Sequence, residues 1–182
     1  ESLGQCAILV RAGFQTREFE ERLLKLGIPY RVIGGPRFYE RAEIKDIISY
    51  MRLIINFNDD VAFKRIVNTP TRGIGKSTLE RIEEIANHTG VSLWTAMNEA
   101  INRREFNAGS TNKLRHFSQL IESLHEESKK AESLVGLYQM ILDKSEYYKR
   151  LKLEDTPEAM ARIENLEEFS NALVQFETEK PG

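Results

Sequence analysis

Two glycines at the start of a predicted helix are the residues in this sequence best suited to bind a phosphate group. They end the segment Asn68-Thr-Pro-Thr-Arg-Gly-Ile-Gly75, which separates a short predicted helix from a second one that begins at Ser77. Glycine lets the backbone approach a phosphate closely, and the free N–H groups of a helix N-terminus attract anions. The pattern is typical of a helix-hairpin-helix, which holds nucleic-acid backbone with little base specificity.

The flanking residues favour the same interpretation without excluding a simpler one. Ile74 can anchor the hairpin in the core, while Arg72 and Lys76 add positive charge on either side of the turn. An ordinary helix-turn-helix with a glycine turn fits the same residues, and both readings stay open on physical grounds. A nucleotide-binding P-loop does not fit, because it requires a glycine at the position of Pro70 and a strand before the loop.

A second basic cluster occurs in Arg31-Val-Ile-Gly-Gly-Pro-Arg-Phe-Tyr-Glu-Arg41. It follows a predicted strand and precedes a predicted helix, where ligands collect in open α/β sheets. Three arginines beside Phe38 and Tyr39 suit the phosphates and stacked bases of a single strand. The alternative is that both aromatic rings are core and that Arg41 pairs with a neighbouring glutamate at the surface.

Composition excludes several other classes of function. The 182 residues are 41% apolar and 30% charged, which is typical of a soluble globular protein, and no apolar run is long enough for a membrane span. Three scattered histidines and the single Cys6 predict no metal site, no disulfide and a reducing compartment. No arrangement resembles a hydrolytic triad. Residues 1–81 carry 14 basic and 10 acidic side chains, and residues 82–182 carry 12 and 18, so a polyanion is expected to meet the first half.

Hydrophobic patterning predicts a mixed fold. Short apolar runs at 6–10 and 29–33 alternate with amphipathic helices at 16–26 and 42–56, which gives a β-α-β-α piece of a larger parallel sheet. From Asp59 onward every periodic segment is helical, and residues 107–110 read as a loop. We therefore predict a partial α/β domain over 1–57 and a mainly helical domain over 58–182.

Long stretches of the chain resemble the UvrD/PcrA/Rep-type DNA helicases of superfamily 1. The resemblance is carried by the following segments: Ala7-Ile-Leu-Val-Arg11, the run from Gly27 to Asp46 with its Gly-Gly-Pro-Arg-Phe-Tyr-Glu-Arg core, Asn58-Asp-Asp60, Val67 to Gly75, and Arg162-Ile-Glu-Asn-Leu-Glu-Glu168. By this resemblance, residues 1–57 open the second RecA-like motor domain (2A), and residues 58–182 form most of the inserted 2B domain.

The resemblance also implies where DNA would be bound. The family's duplex-contacting turn matches Thr71, Arg72, Gly73, Ile74, Gly75, Lys76 and Ser77. Its single-strand motif matches Arg37, Phe38 and Arg41, and a hinge for rotation of 2B is expected at Asn56, Asn58, Asp59 and Asp60. The implied activity is ATP-driven 3′-to-5′ unwinding in bacterial DNA repair, with ATP and Mg²⁺ as cofactors of the full-length parent.

The Walker motifs and the arginine-finger motifs of that family have no counterpart here, so this chain alone is expected neither to hydrolyse ATP nor to unwind DNA. We expect it in the cytoplasm, with DNA and repair proteins as partners and no membrane, as a monomer or a weak dimer through an open sheet edge. The competing hypothesis is a protein-interaction or autoinhibitory module, whose acidic second half binds partner proteins and whose DNA contact is minor.

Overall fold

In a computed structural model, which describes residues 3–179, the chain folds into α-helices joined by turns and by longer irregular segments. The helices are α1 (Thr16–Lys25), α2 (Ala42–Ile55), α3 (Asp60–Ile66), α4 (Lys76–Thr89), α5 (Leu93–Asn102), α6 (Ala108–Ser128), α7 (Leu134–Lys144), α8 (Tyr147–Glu154) and α9 (Pro157–Glu179). Short 3-10 turns lie at Leu3–Gln5, Gly13–Gln15 and Phe38–Glu40. None of the helices over 3–179 is both long and apolar enough to cross a membrane.

The prediction of a β-α-β-α sheet fragment at the N-terminus is wrong. Residues 6–10 and 29–33 are irregular, and no strand occurs anywhere between residues 3 and 179. A strand exists only if its N–H and C=O groups pair with a neighbour, and these two segments do not pair with each other. Leu9 and Ile33 accordingly remain 94% and 83% exposed. The part of the chain that the structure describes therefore has no sheet edge through which the predicted weak dimer could form.

The central element of the fold is α2. Its isoleucine, tyrosine and leucine side chains at Ile44, Ile47, Tyr50, Leu53 and Ile54 are completely buried. They follow the spacing of one broad helical face, and this face packs against α3, α6, α7 and α9. The predicted boundary at residue 57 thus falls between two helices that share one core, and the division into two domains stays a prediction.

A cluster of aromatic rings fills the core where α3, α5 and α6 meet. The ring of Phe117 makes edge-to-face contacts with Phe63 and Trp94, at centroid distances of 5.7 and 6.2 Å. Phe57, in the turn after α2, stacks on Trp94 with the ring centroids 4.8 Å apart. These contacts fix the position of α3 relative to α6. Helix α3 leads directly into the predicted phosphate-binding hairpin.

Several predicted helix starts are shifted for a local reason. Residues 107–110 are not a loop, because the Asn107 side chain caps α6 by accepting a hydrogen bond from the Ser110 N–H at 2.8 Å. The second helix of the hairpin does not begin at the predicted Ser77 either. Helix α4 begins earlier, with Gly75 as its N-cap and without a side-chain cap.

Candidate nucleic-acid interface

The predicted hairpin is present, between the end of α3 at Ile66 and the start of α4 at Lys76. Ile74 is only 4% exposed, so it anchors the turn in the core as predicted, whereas Gly73 and Gly75 on either side of it lie at the surface. Gly73 adopts a left-handed conformation, with φ of +73°. A side chain is disfavoured there by the backbone angle and by the Lys113 Nζ, which lies 3.0 Å from where a Cβ would be.

The shape of the loop is fixed from inside by Asn68. Its side-chain oxygen accepts hydrogen bonds from the backbone N–H groups of Arg72, at 2.8 Å, and Ile74, at 3.2 Å. Two amides of the loop are therefore already satisfied by the protein. An asparagine side chain often organises a turn in this way.

The next amides along the chain have no partner in the protein. The backbone N–H groups of Gly75, Lys76 and Ser77, which we call the open amides, donate to no acceptor within residues 3–179, and the first inward bond of the helix comes from Thr78, to the Gly75 carbonyl at 3.1 Å. All three residues are exposed. The start of a 14-residue helix thus presents unpaired donors and the positive end of its dipole to solvent.

Arg72 points into the protein. One terminal nitrogen donates to the carbonyls of Ile66, Thr69 and Pro70 at 2.9 to 3.2 Å. The other donates to the Tyr50 hydroxyl, which in turn donates to the Thr69 carbonyl at 2.6 Å. Burial raises the pKa of Tyr50 and Arg72 opposes that rise, so the hydroxyl keeps the proton it donates. Arg72 therefore holds the loop, and its guanidinium is occupied by protein acceptors.

Two cations that the sequence did not single out also contact the hairpin. Lys113 of α6 donates to the Gly73 carbonyl at 2.8 Å, and Arg150 of α8 donates to the Thr71 carbonyl at 2.5 Å. They are 40 and 79 residues away from their acceptors along the chain. Among the predicted cations, Lys76 is exposed and lies 3.4 Å from Glu80 on the next turn of α4.

The second basic cluster is divided between surface and core. Arg37 is exposed, with its guanidinium 5.0 Å from the centre of the Tyr30 ring. Phe38 is fully buried and Arg41 is only 8% exposed. The side chain of Arg41 donates to Asn165 of α9 at 2.5 Å, to the Gly13 carbonyl at 2.9 Å and to the Thr16 hydroxyl at 3.0 Å.

Arg41 belongs to a buried polar network that joins α2 to α9. Asn165 donates in turn to Glu43 at 2.6 Å, and Arg17 pairs with Glu168 at 2.5 Å. Burial lowers the pKa of Arg41, while the carboxylates of Glu20 and Glu43 oppose that shift. In this arrangement only Arg37 of the three predicted single-strand contacts presents its side chain to solvent, and the contact itself stays a prediction.

The predicted hinge residues form a tight connection between α2 and α3. Asp59 caps α3 by accepting from the Ala62 N–H at 2.9 Å, and it pairs with Arg52 at 2.7 Å. Asp60 accepts from the Leu93 N–H at 2.8 Å, and the Asn56 side chain accepts from the Asn58 N–H at 3.0 Å. Each of the four polar residues thus holds a defined contact in this structure, and a hinge role for them stays a prediction.

The cap at Asp59 gives a testable pH dependence. We expect Asp59→Ala to lower the free energy of unfolding by about 1 kcal/mol near neutral pH. The Ala62 N–H, more than Arg52, holds the pKa of Asp59 below its usual value. A carboxylate with a lowered folded pKa stabilises above its unfolded pKa of about 3.9, and this effect is lost as pH falls through the folded pKa. Urea unfolding at neutral and acidic pH should therefore show the gap closing below about pH 4, and a constant gap would contradict the assignment.

The residues of this chain do not form a triphosphate cradle at the P-loop-like stretch. The segment from Gly75 to Thr78 follows helix α3 and an irregular loop, and Pro70 occupies the place of the first required glycine. Within residues 3–179 no three His, Cys, Asp or Glu side chains gather as they would around a metal ion.

Comparison with known proteins shows the family to which the chain belongs. The whole chain, residues 1–182, matches the UvrD-like helicase C-terminal domain family, so the chain belongs to that family. It is 42% identical over 175 residues to the ATP-dependent DNA helicase PcrA of Bacillus subtilis and, equally, to DNA helicase II of Escherichia coli K12. A probable DNA helicase II homolog of Rickettsia felis is 40% identical over 173 residues.

These alignments cover 95–96% of this chain but only 23–26% of the relatives. The chain thus spans about a quarter of the length of the helicases it matches. The resemblance to UvrD- and PcrA-type helicases is confirmed at the level of the family.

Proposed function

We propose that this chain is a segment of an ATP-dependent DNA helicase of the bacterial cytoplasm and that its hairpin binds the phosphate backbone of duplex DNA. The observation that carries the proposal is the set of open amides at Gly75, Lys76 and Ser77, exposed at the start of α4 beside Lys76. Such donors fit a phosphate and read no base. Membership in a helicase family makes DNA the polyanion to expect.

The finer assignment follows the resemblance to the family. We propose that residues 1–57 begin the 2A motor domain, that residues 58–182 form most of 2B, and that 2B rotates about the connection at 56–60. Single-stranded DNA would pass near Arg37, and contact with Phe38 and Arg41 would require a rearrangement that exposes them. Residues 1–182 alone are proposed to lack ATPase activity, because their P-loop-like stretch follows a helix. ATP and Mg²⁺ would be bound by the complete protein.

Ser77→Asp provides a sharp test of the hairpin. The new carboxylate would lie in the first turn of α4. There it would stabilise the helix by interacting with the positive end of the helix dipole, but it would repel a phosphate at the open amides. We expect duplex affinity to fall at least about tenfold, while the melting temperature stays the same or rises. Fluorescence anisotropy with a labelled duplex measures the affinity, and circular dichroism measures the melting temperature.

Ser77→Asn is the matched control, because the asparagine side chain has the same size as aspartate and carries no charge. It should bind duplex within about twofold of the wild type. Equal affinity for all three proteins would contradict hairpin binding. If in addition the affinity of the wild type hardly changes between about 50 and 200 mM salt, the protein-interaction module would become the better hypothesis, since binding to phosphates falls steeply with salt.

A further inference from the structure

The hairpin loop has its carbonyl oxygens covered by cations. A loop that receives a phosphate through N–H groups also carries C=O groups, and their partial negative charge would repel that phosphate. Here the carbonyls of Thr69 and Pro70 accept from Arg72, that of Thr71 accepts from Arg150, and that of Gly73 accepts from Lys113. Four carbonyls of the loop are thus neutralised by three side chains.

The three cations are not equivalent. Arg72 belongs to the loop itself and points inward, where it is also packed near the Phe117 ring. Lys113 and Arg150 come from α6 and α8, two helices that lie elsewhere in the sequence, and both hydrogen bonds are at the exposed surface. Each side chain uses one donor on a carbonyl. A lysine ammonium has three donors and an arginine guanidinium five, so both retain donors for a second acceptor.

Lys113 lies especially close to the turn. Its Nζ is 2.8 Å from the Gly73 oxygen and 3.0 Å from the point where a Cβ of Gly73 would be. The absence of a side chain at Gly73 therefore leaves room for this ammonium as well as for the left-handed backbone. Arg150 reaches the loop at Thr71, and its only ion-pair partner within residues 3–179, Glu146 at 3.9 Å, is shared with Lys149, which lies closer to Glu146 at 2.8 Å.

We propose that Lys113 and Arg150 are additional phosphate-binding residues, which extend the duplex-binding surface of the hairpin onto α6 and α8. They cover the loop carbonyls and at the same time supply the positive charge that the open amides lack. The ligand is the phosphate backbone of duplex DNA. This inference rests on the proposed function of the hairpin.

The test compares Lys113→Gln and Arg150→Gln with the wild-type chain in duplex binding at several salt concentrations. Affinity falls with salt, and each lost phosphate contact should make the slope of log affinity against log salt less steep by about 0.9. It should also weaken binding about five- to tenfold at 0.1 M salt. Lys113→Arg should restore both the slope and the affinity, because it keeps the charge. A purely structural role for Lys113 would lower affinity without changing the slope.

Lys130→Gln is the charge-matched control. Lys130 is exposed and follows the C-terminal end of α6, about 25 Å along the helix axis from Lys113, so its loss should leave the slope unchanged. If Ser77→Asp abolishes binding while Lys113→Gln and Arg150→Gln keep the wild-type slope, this inference is wrong and the hairpin proposal stands. If the wild-type chain fails to bind duplex, or Ser77→Asp binds as the wild type does, both proposals are overturned.

Discussion

Replacing Arg72 by methionine is expected to lower the free energy of unfolding by about 3 kcal/mol and the melting temperature by roughly 6–12 °C. Methionine keeps much of the aliphatic stem but removes the charged donor that the carbonyls of Ile66, Thr69 and Pro70 share. The Ile66 and Thr69 carbonyls keep a second donor, the Thr69 N–H and the Tyr50 hydroxyl, whereas the Pro70 carbonyl loses its donor. A hydrogen bond to a charged group contributes about 1.5–3 kcal/mol, and an acceptor left unsatisfied costs about 1–3 kcal/mol. Water can reach part of this half-buried site, so the total cost stays near the lower end of the summed range.

Thermal and urea unfolding followed by circular dichroism measure this effect. Arg103→Met is the control, because Arg103 is exposed and its ion pair with Glu99 lies at the surface, where such pairs contribute little. The same variant also tests the role of Arg72 in DNA binding. Since its guanidinium is occupied by protein acceptors, Arg72→Met should leave the salt slope of duplex binding unchanged. A slope lower by about 0.9 would show instead that Arg72 contacts a phosphate.

Replacing Arg41 by methionine is expected to cost about 3–5 kcal/mol, the usual effect of removing one member of a buried charged network. The substitution leaves Asn165 without its donor and removes the positive charge facing the buried carboxylates of Glu20 and Glu43. It also releases the Gly13 carbonyl. Urea unfolding should show the midpoint shift without a change of slope.

A double-mutant cycle with Asn165→Ala separates the network from nonspecific damage. The two residues touch, so the double variant should be less destabilised than the sum of the single ones by about 0.5–3 kcal/mol. Strict additivity would mean that Arg41 and Asn165 do not interact in solution. A wild-type midpoint for Arg41→Met would instead place Arg41 at the surface, where it could meet a single strand directly.

The helices were predictable from sequence where a strong period coincides with burial. The isoleucine stripe of α2 predicted its face and nearly its length, because a helix covered on one broad side must repeat apolar residues every three or four positions. The apolar run at 6–10 carried no such information. A continuous run of that length indicates burial against neighbours without saying which ones, and with no adjacent strand Leu9 lies in solvent.

Only part of the candidate site could be found in the same way. Gly73, Ile74 and Gly75 were identified correctly as a turn with one buried anchor, because the requirements of a tight loop are local. Arg72 and Arg41 were interpreted as surface cations, since charged residues beside turns are commonly exposed. The Arg41 partner Asn165 lies 124 residues away in the chain, and no local pattern reveals an acceptor at that separation. The Arg72 acceptors lie only 2 to 22 residues away, but they face Arg72 only once the loop has folded back on itself.

The hydrogen bonds and ion pairs between α9 and the N-terminal segment also constrain the order in which the protein can fold during synthesis. Arg41 reaches Asn165 across 124 residues and Arg17 reaches Glu168 across 151. A ribosome adds about 5–20 residues per second, so roughly 6–30 s separate the synthesis of these arginines from that of their partners. During that interval the nascent segment carries two cations that are destined for burial but still hydrated, and its native structure can close only after α9 has emerged.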